Sequence, residues 1–173
     1  MAATLALKKL LIGRYSPGRK PLWCDFVWRS ELVTGVYETL AVLFFLDLLL
    51  GTPFLSGVLR AFGVKIGKRC YLDTTWFTEF ELIEIGDEVS LNENANIQTH
   101  LFEDRVMKMG GVRIGSRCAV GTMSTVLYDT EMGEGSALGD LSLVMKGESL
   151  ASGTRWHGIP ARRQGPAASQ GAL

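Results

Sequence analysis

The chain has no excess of charge of either sign, and it is poor in histidine and cysteine. Its 18 lysines and arginines balance 18 acidic residues, so the whole chain has no electrostatic bias toward nucleic acid. Two histidines are too few for a zinc site that needs three imidazole ligands. The three cysteines have neither metal-type spacing nor a disulfide pattern. The first apolar stretch, residues 5–12, is too short and wrongly ordered for a secretory signal.

What the sequence does have is a six-residue period of aliphatic residues through its second half. A glycine or another small residue often follows the aliphatic one, and the position four after it is small or polar. This period fits neither the turn of an α-helix nor the two-residue alternation of a strand. It is typical of a parallel β-helix with three hexads per coil, in which each aliphatic side chain points inward. The aliphatic positions are Ile66, Leu72, Ile85, Leu91, Ile97, Ile114, Val120, Val126, Met132, Leu138, Val144 and Leu150.

The period has two faults. One residue too many separates Ile66 from Ile85, and this slip lies near Trp76–Glu81, where aromatic residues replace the small ones. One residue too few separates Ile97 from Ile114, with no hexads between His100 and Gly111. The sequence therefore predicts an excursion loop at residues 100–111. Functional residues of repeat proteins often lie on such loops.

Residues 1–63 have no hexads and are expected to form a helical, membrane-associated leader ahead of the β-helix of residues 64–163. Tryptophans and basic residues precede an apolar run at residues 33–50, whose length approaches that of a membrane span. Glu38 and Asp47 are costly at membrane depth. The alternative is an amphipathic helix that caps the open end of the first coil, since such an end exposes unpaired backbone. Residues 164–173 are expected to be a disordered tail.

His100 lies where the predicted loop leaves the coil, and the chain ends in Trp156-His157-Gly158-Ile159-Pro160-Ala161. Together with the hexads, these features resemble the hexapeptide-repeat acyltransferases, which are left-handed parallel β-helices. The resemblance implies that His100 is a general base, a task for which a neutral imidazole is suited. Glu103 or Asp104 could orient its other ring nitrogen. The alternatives are a turn residue for His100 and a solvated loop for the acids, with Arg105 as their ion partner.

A more specific resemblance rests on three strings and extends over residues 13–162. Residues 99–108 (THLFEDRVMK), 126–129 (VLYD) and 141–148 (LSLVMKGE) resemble the C-terminal region of the ε-poly-L-lysine synthetase family, which is membrane-bound and similar to nonribosomal peptide synthetases. The chain resembles the last membrane helix and the last tandem solenoid domain of that family. Its adenylation and carrier domains have no counterpart in this sequence.

Six further residues are candidates for contact with substrate or pantetheine: Asn94, Asn96, Glu148, Trp156, His157 and Gly158. Asn94 and Asn96 lie on the coil that carries His100, although asparagine also suits left-handed corners. Glu148 occupies an inward position where an unpaired carboxylate is costly. It therefore either lies on a frayed coil or faces a polar cleft that binds an acceptor amine. The terminal Trp156, His157 and Gly158 are expected to line the pantetheine channel, as the acyltransferase resemblance implies.

These features favour an acyl- or aminoacyl-transferase that forms an amide or ester from a pantetheine-bound thioester. Phosphopantetheine or coenzyme A would be a co-substrate, and no metal is expected. The resemblance implies a site between adjacent copies, hence a homotrimer or tandem sibling domains. Two alternatives remain: a non-catalytic, membrane-anchored scaffold module and a stand-alone CoA-dependent O- or N-acetyltransferase. The expected location is the cell membrane, with the β-helix on the cytoplasmic side.

Overall fold

The computed structural model describes residues 2–164, in which helices precede a parallel β-helix. The helical leader (residues 2–63) contains α1 (Ala2–Leu11), β1 (Gly18–Pro21), α2 (Asp25–Val36), a π-helical segment (Tyr37–Leu46), a 3-10 turn (Asp47–Leu49) and α3 (Pro53–Phe62). Pro53 suits the first turn of α3, where its missing N–H has no intrahelical partner, and Gly63 ends the helix at φ 121°. The expected tail lies outside the described residues except for Gln164, whose N–H bonds Arg155 O.

Residues Asp25–Leu49 form one continuous long helix with two different faces. It is long and apolar enough to cross a membrane, by length and composition alone. Its buried side chains follow one stripe. They are three residues apart in α2, four apart where α2 meets the π-helical segment, and four and five apart within that segment, where the turn is wider. The buried residues are Val27, Ser30, Val33, Tyr37, Ala41 and Leu46. The exposed apolar face consists of Trp28, Leu32, Leu40, Leu43, Phe44, Phe45 and Leu48.

The β-helix begins directly after α3 and is built from short strands. Its strands are β2 (Lys65–Ile66), β3 (Tyr71–Leu72), β4 (Ile83–Ile85), β5 (Ser90–Leu91), β6 (Asn96–Gln98), β7 (His100–Glu103), β8 (Val106–Met109), β9 (Val112–Ile114), β10 (Ala119–Val120), β11 (Thr125–Leu127), β12 (Thr130–Met132), β13 (Ala137–Leu138), β14 (Leu143–Val144), β15 (Ser149–Leu150), β16 (Arg155–His157) and β17 (Arg162–Arg163).

Three parallel sheets form the faces of the coil. Face one is ordered β2-β4-β9-β12-β15, face two β3-β5-β10-β13-β16 and face three β6-β11-β14. In the regular coils, residues 18 apart lie on neighbouring rungs, as when Thr122 bonds Asp140 and Ala119 pairs with Ala137. Every aliphatic hexad position is buried except the half-buried Ile66. Gly121 shows why corners need small residues, because an added Cβ would lie 2.5 Å from the backbone N of Asp140.

Both faults in the period correspond to local structures. The extra residue after Ile66 is absorbed by a 3-10 turn (Phe80–Leu82), and Glu79 just before it has φ 29°. Strands β2 and β4 therefore stay in register, with Ile66 beside Ile85. The predicted excursion loop is an antiparallel hairpin of β7 and β8, and β1 of the leader adds a third strand beside β8. The leader strand thus supports the segment that carries His100.

The leader packs on the first coil and closes its end. Tyr37 of the long helix makes edge-to-face contacts with Phe62 and Phe80, and its hydroxyl donates to Thr75 O at 3.0 Å. Lys8 of α1 forms a buried ion pair with Glu81 and donates to Phe62 O. One hydrophobic core therefore runs from the leader into the coils.

Candidate active site

His100 is the first residue of β7, at the corner between face three and face one. It is 8% exposed. Its Nδ1 lies 2.8 Å from Oε2 of Glu79, on the preceding coil. Since a carboxylate only accepts hydrogen bonds, the neutral imidazole donates through Nδ1–H and keeps its lone pair on Nε2. This is the tautomer that a general base needs when its second nitrogen is held by an acid.

Glu79 is fixed from several sides. Its side chain has no solvent exposure, and its Oε2 also accepts a 2.7 Å hydrogen bond from the hydroxyl of Thr99. The Thr99 hydroxyl lies 3.0 Å from that of Thr78. Among residues 2–164, Oε1 of Glu79 has no hydrogen-bond partner. An uncompensated buried oxygen is costly, which makes the protonation of its neighbour His100 favourable.

The charges around His100 shift its equilibrium toward the imidazolium. Burial by itself lowers the pKa of His100, because it disfavours the charged ring. The hydrogen bond and charge of Glu79 outweigh this effect, and Glu31 on α2 adds to them, so the pKa of His100 is raised above its ordinary value. The neutral, proton-accepting form therefore predominates only at a pH above that raised pKa.

Glu103 and Asp104 do not orient His100, which corrects the expectation from the sequence. Asp104 and Arg105 have φ of 53° and 62° and form the tip of the hairpin, away from its base at His100. Lys108 binds both acids, at 2.9 Å and 3.3 Å. Glu103 also pairs with Lys146. Both acids stabilise the hairpin, Glu103 also connects it to a later coil, and Arg105 is not their ion partner.

A cleft of about 470 Å³ opens between the long helix and the first two coils. Asn94 and Asn96 both line it. Asn94 is a left-handed corner residue, with φ 53°, and its Oδ1 accepts a 3.3 Å hydrogen bond from the indole of Trp76. Asn96 lies on β6, four residues before His100. Both residues thus have a structural place and also face a space large enough for a small ligand.

The other predicted binding residues lie on later coils. Glu148 accepts a 2.8 Å hydrogen bond from Met145 N and holds its own turn, so it neither frays the coil nor faces the cleft. His157 is exposed, with its ring 3.3 Å from the hydroxyl of Ser142, which also accepts from Gly158 N. His157 ends β16 and Gly158 follows it, at the corner between faces two and three. Trp156 is partly buried, and its indole donates to Thr154 at 2.8 Å. Trp156, His157 and Gly158 lie three coils beyond His100. At the usual spacing between strands this is roughly 14 Å along the axis of the β-helix.

Within the described part of the chain, no three His, Cys, Asp or Glu side chains are grouped so that they could hold a metal ion. The candidate site comprises the pair of His100 and Glu79, the hairpin of β7 and β8, and the neighbouring cleft.

The chain is similar in sequence to a curated protein and in fold to solved structures. No family model matches the sequence. The chain is 48% identical over 155 residues to a delta-poly-L-ornithine synthetase from Acinetobacter baumannii (strain AB307-0294). That match takes in 90% of this chain but 12% of the synthetase, so the chain spans about an eighth of that relative.

The solved structure of a maltose O-acetyltransferase from Clostridium difficile 630 overlays on 91% of this chain and 95% of its own, with a TM-score of 0.60 and 16% identity. The chain shares the fold of that acetyltransferase. A hexapeptide-repeat-containing acetyltransferase from Vibrio cholerae overlays on 60% of this chain and 62% of its own, with a TM-score of 0.49 and 17% identity.

The sequence pattern did not identify Glu79 as the partner of His100. The residue lies in the segment where the period slips, and that slip is the signal that could have identified it. A regular hexad would have placed a small residue there, whereas the slip brings a carboxylate beneath the base of the hairpin.

Proposed function

We propose that this chain is an acyl- or aminoacyl-transferase module that forms an amide from a pantetheine-bound thioester, with His100 as general base. The observation that carries the proposal is the 2.8 Å contact between Nδ1 of His100 and buried Glu79, which leaves Nε2 available as a base. The acyltransferase fold supports it. His100 takes the catalytic role and Glu79 positions it.

The proposed reaction needs a base for one proton. The neutral amine of the acceptor attacks the thioester carbonyl, and a C–N bond forms. Nε2 of His100 takes a proton from the attacking nitrogen as positive charge develops on it. The C–S bond then breaks, and the proton passes from the imidazolium to the departing thiolate, so that amide and thiol leave the site. Glu79 stabilises the imidazolium during this step.

The donor is phosphopantetheine on a carrier domain or coenzyme A. We favour an aminoacyl donor because the curated relative is a poly-ornithine synthetase. In this proposal the chain corresponds to the last tandem β-helix of a synthetase of the poly-lysine and poly-ornithine class. Trp156, His157 and Gly158 would line the pantetheine path, and an adjacent copy or a sibling domain would complete the site, as in a trimer. The left-handed sense of the coil is part of the same proposal.

The exposed apolar face of the long helix supports an association with the membrane. Phe44 and Leu48 are 67% and 79% exposed, and burial of such side chains in the lipid boundary stabilises binding. The opposite face packs on the first coil through Tyr37 and Ala41. The coil surface is charged and cannot enter hydrocarbon, so we propose that the helix lies in the plane of the cytoplasmic leaflet rather than across it.

The test is transfer from an acetyl- or ornithyl-pantetheine thioester to an amine, using detergent-solubilised protein beside His100→Ala. The expected result is product whose rate falls by about 10²- to 10⁴-fold in the variant, as for loss of a general base, with an unchanged circular-dichroism spectrum. Equal turnover in both proteins removes the role of His100.

The mass of the complex in the same sample separates the remaining alternatives. His100-dependent product from a trimer supports an autonomous transferase, including a stand-alone CoA-dependent acetyltransferase if acetyl-CoA is the better donor. No product from a monomer favours a scaffold module that acts only beside sibling domains.

A further inference from the structure

The backbone of Glu79 adopts a conformation that residues with a side chain avoid. Its φ of 29° and ψ of 60° lie on the left-handed side, where an L-amino acid is strained. Such strain persists when the surrounding structure over-determines the position of the residue. Beyond His100 and the hydroxyl of Thr99, the carboxylate of Glu79 has no hydrogen-bond partner among residues 2–164. The position of Glu79 therefore depends on the turn that follows it.

The leader holds the first two residues of that 3-10 turn, Phe80 and Glu81. The ammonium group of Lys8 on α1 forms a buried ion pair with Glu81. The same group lies 5.9 Å from the centre of the Phe80 ring, within the range of a cation–π contact. The backbone N–H of Tyr15 donates to the other oxygen of Glu81 at 3.3 Å. The leader thus fixes the two residues that directly follow Glu79.

The ion pair of Lys8 and Glu81 is better suited to set a position than to add stability. Lys8 is 2% exposed, and it also donates to Phe62 O, at the end of α3, at 2.9 Å. Removal of two charges from water costs about as much free energy as their attraction provides, so apolar side chains could attach α1 to the coil equally well. An ion pair with a second hydrogen bond differs from an apolar contact because it has a defined direction.

The leader also reaches the catalytic pair from a second side. Gly18 of β1 lies opposite Met109 of β8, and Met109 lies opposite His100 of β7. Two carboxylates act on the charge of His100, Glu79 from the preceding coil and Glu31 from α2. The acids at the tip of its own hairpin bind lysine instead. Because β1 and α2 do not depend on the ion pair of α1, the two supports can be separated by experiment.

We propose that Lys8 is a positioning residue for the pair of His100 and Glu79. By binding Glu81, Lys8 keeps the 3-10 turn in place, and the turn keeps the carboxylate of Glu79 against Nδ1 of His100. The docked α1 thus determines which nitrogen of His100 carries the proton. The orientation of His100 is independent of the reaction, whereas its importance for turnover rests on the proposed transferase function.

The experiment compares Lys8→Met/Glu81→Gln with the wild type by nitrogen–proton NMR of the histidine rings in the full chain. The chain has two histidines, and the signals of His100 are assigned by their loss in His100→Ala. The double substitution removes one positive and one negative charge together, so its direct effect on the field at His100 is small. We expect the neutral ring of the wild type to carry its proton on Nδ1 and that of the double variant to populate both tautomers. The pKa of His100 should fall in the double variant, because its contact with Glu79 weakens.

Hydrogen exchange at the amides of β1 in the same samples shows whether the leader stays docked. We expect the double variant to keep this protection, since the apolar contacts of the leader remain, and nonetheless to lose the preference for one tautomer. Lys8→Arg keeps a charged donor for Glu81 and should retain the preference. In transfer assays kcat/KM should fall by about tenfold to 10²-fold in the double variant, as for a misplaced base, with KM little changed. Lys8→Arg should retain most of the rate.

The matched control is Lys65→Met/Glu84→Gln, which makes the same two substitutions at an exposed ion pair and should leave His100 unchanged. A wild-type tautomer in Lys8→Met/Glu81→Gln overturns the inference. Loss of the tautomer only together with the protection of β1 also overturns it, because docking of the whole leader then explains the effect. If the tautomer changes as expected but the wild type transfers nothing, the proposed function is wrong and the role of Lys8 is confirmed.

Discussion

At the scale of single residues, the behaviour of His100 is set by a carboxylate that is more deeply buried than the imidazole itself. Glu79 holds the Nδ1 proton and leaves one of its own oxygens without a partner among the described residues. A buried carboxylate of this kind is costly for folding. Its effect on the basicity and the orientation of His100 offers a functional reason for its presence.

Glu79→Gln should change the pH dependence of transfer in a defined direction. The raised pKa of wild-type His100 makes the rate increase with pH through a midpoint above the ordinary histidine value near 6.5. Removal of the carboxylate charge lowers the pKa of His100, so the acid limb of kcat/KM should move to lower pH. The plateau should fall by roughly 10²-fold, because the ring is less basic and less firmly oriented. A pH–rate profile measures both effects.

Glu103→Gln is the matched control for that experiment, since Glu103 binds lysines rather than His100. Its acid limb should coincide with that of the wild type. A shift in Glu103→Gln and none in Glu79→Gln would restore the pairing that the sequence suggested.

The sequence indicated His100 but not its partner, for a physical reason. Glu103 and Asp104 are the nearest acids along the chain, whereas the hairpin turn carries them to Lys108. Glu79 reaches His100 only because neighbouring coils stack, and its position depends on a local 3-10 turn at the slip. Hexad counting locates such a slip but not the direction of the side chains within it.

At the scale of elements, a buried ion pair attaches α1 to the coil. Lys8 and Glu81 have side chains that are 3% and 12% exposed, and Lys8 also donates to Phe62 O. The apolar stretch around Lys8 predicted no such contact, because its partner lies beyond the first strands of the β-helix. The hexads predicted the coils, whereas the addition of β1 to the hairpin depends on a long-range pairing that leaves no periodic signal.

Lys8→Met should therefore destabilise the docked leader by about 3–5 kcal/mol, because it leaves Glu81 buried without its charge partner. The double variant Lys8→Met/Glu81→Gln should recover part of that loss. Hydrogen exchange at the amides of α1, beside those of the later coils, measures the effect locally. Equal protection of α1 in Lys8→Met and the wild type would contradict it.

At the scale of the whole molecule, the position of the leader determines which face of the long helix is available for the proposed association with a membrane. The length and the apolar composition of the long helix are those of a membrane-spanning helix. The sequence alone predicted no more than this. The structure adds that one face packs on the coil through Tyr37 and Ala41, while Leu32 and Leu48 face outward. In the proposed in-plane orientation, such a helix would present one side to lipid along its length.

An in-plane helix places Leu32 and Leu48 in the same leaflet, whereas a spanning helix separates them. We expect NBD fluorophores at Leu32→Cys and Leu48→Cys, in a background of Cys24→Ser and Cys70→Ser, both to be reduced by dithionite when protein is added outside sealed vesicles. Protection of one of the two probes would show that the helix spans the bilayer. Dithionite added after detergent gives the total signal.

The pairing of β1 with β8 has a consequence for the order of folding. The coils grow by contacts between neighbouring rungs and can propagate one after another. The pairing of Gly18 with Met109 instead joins residues that are far apart in the sequence. Closure of such a long loop slows folding. The hairpin that carries His100 is therefore expected to gain its third strand only after the neighbouring coils have formed.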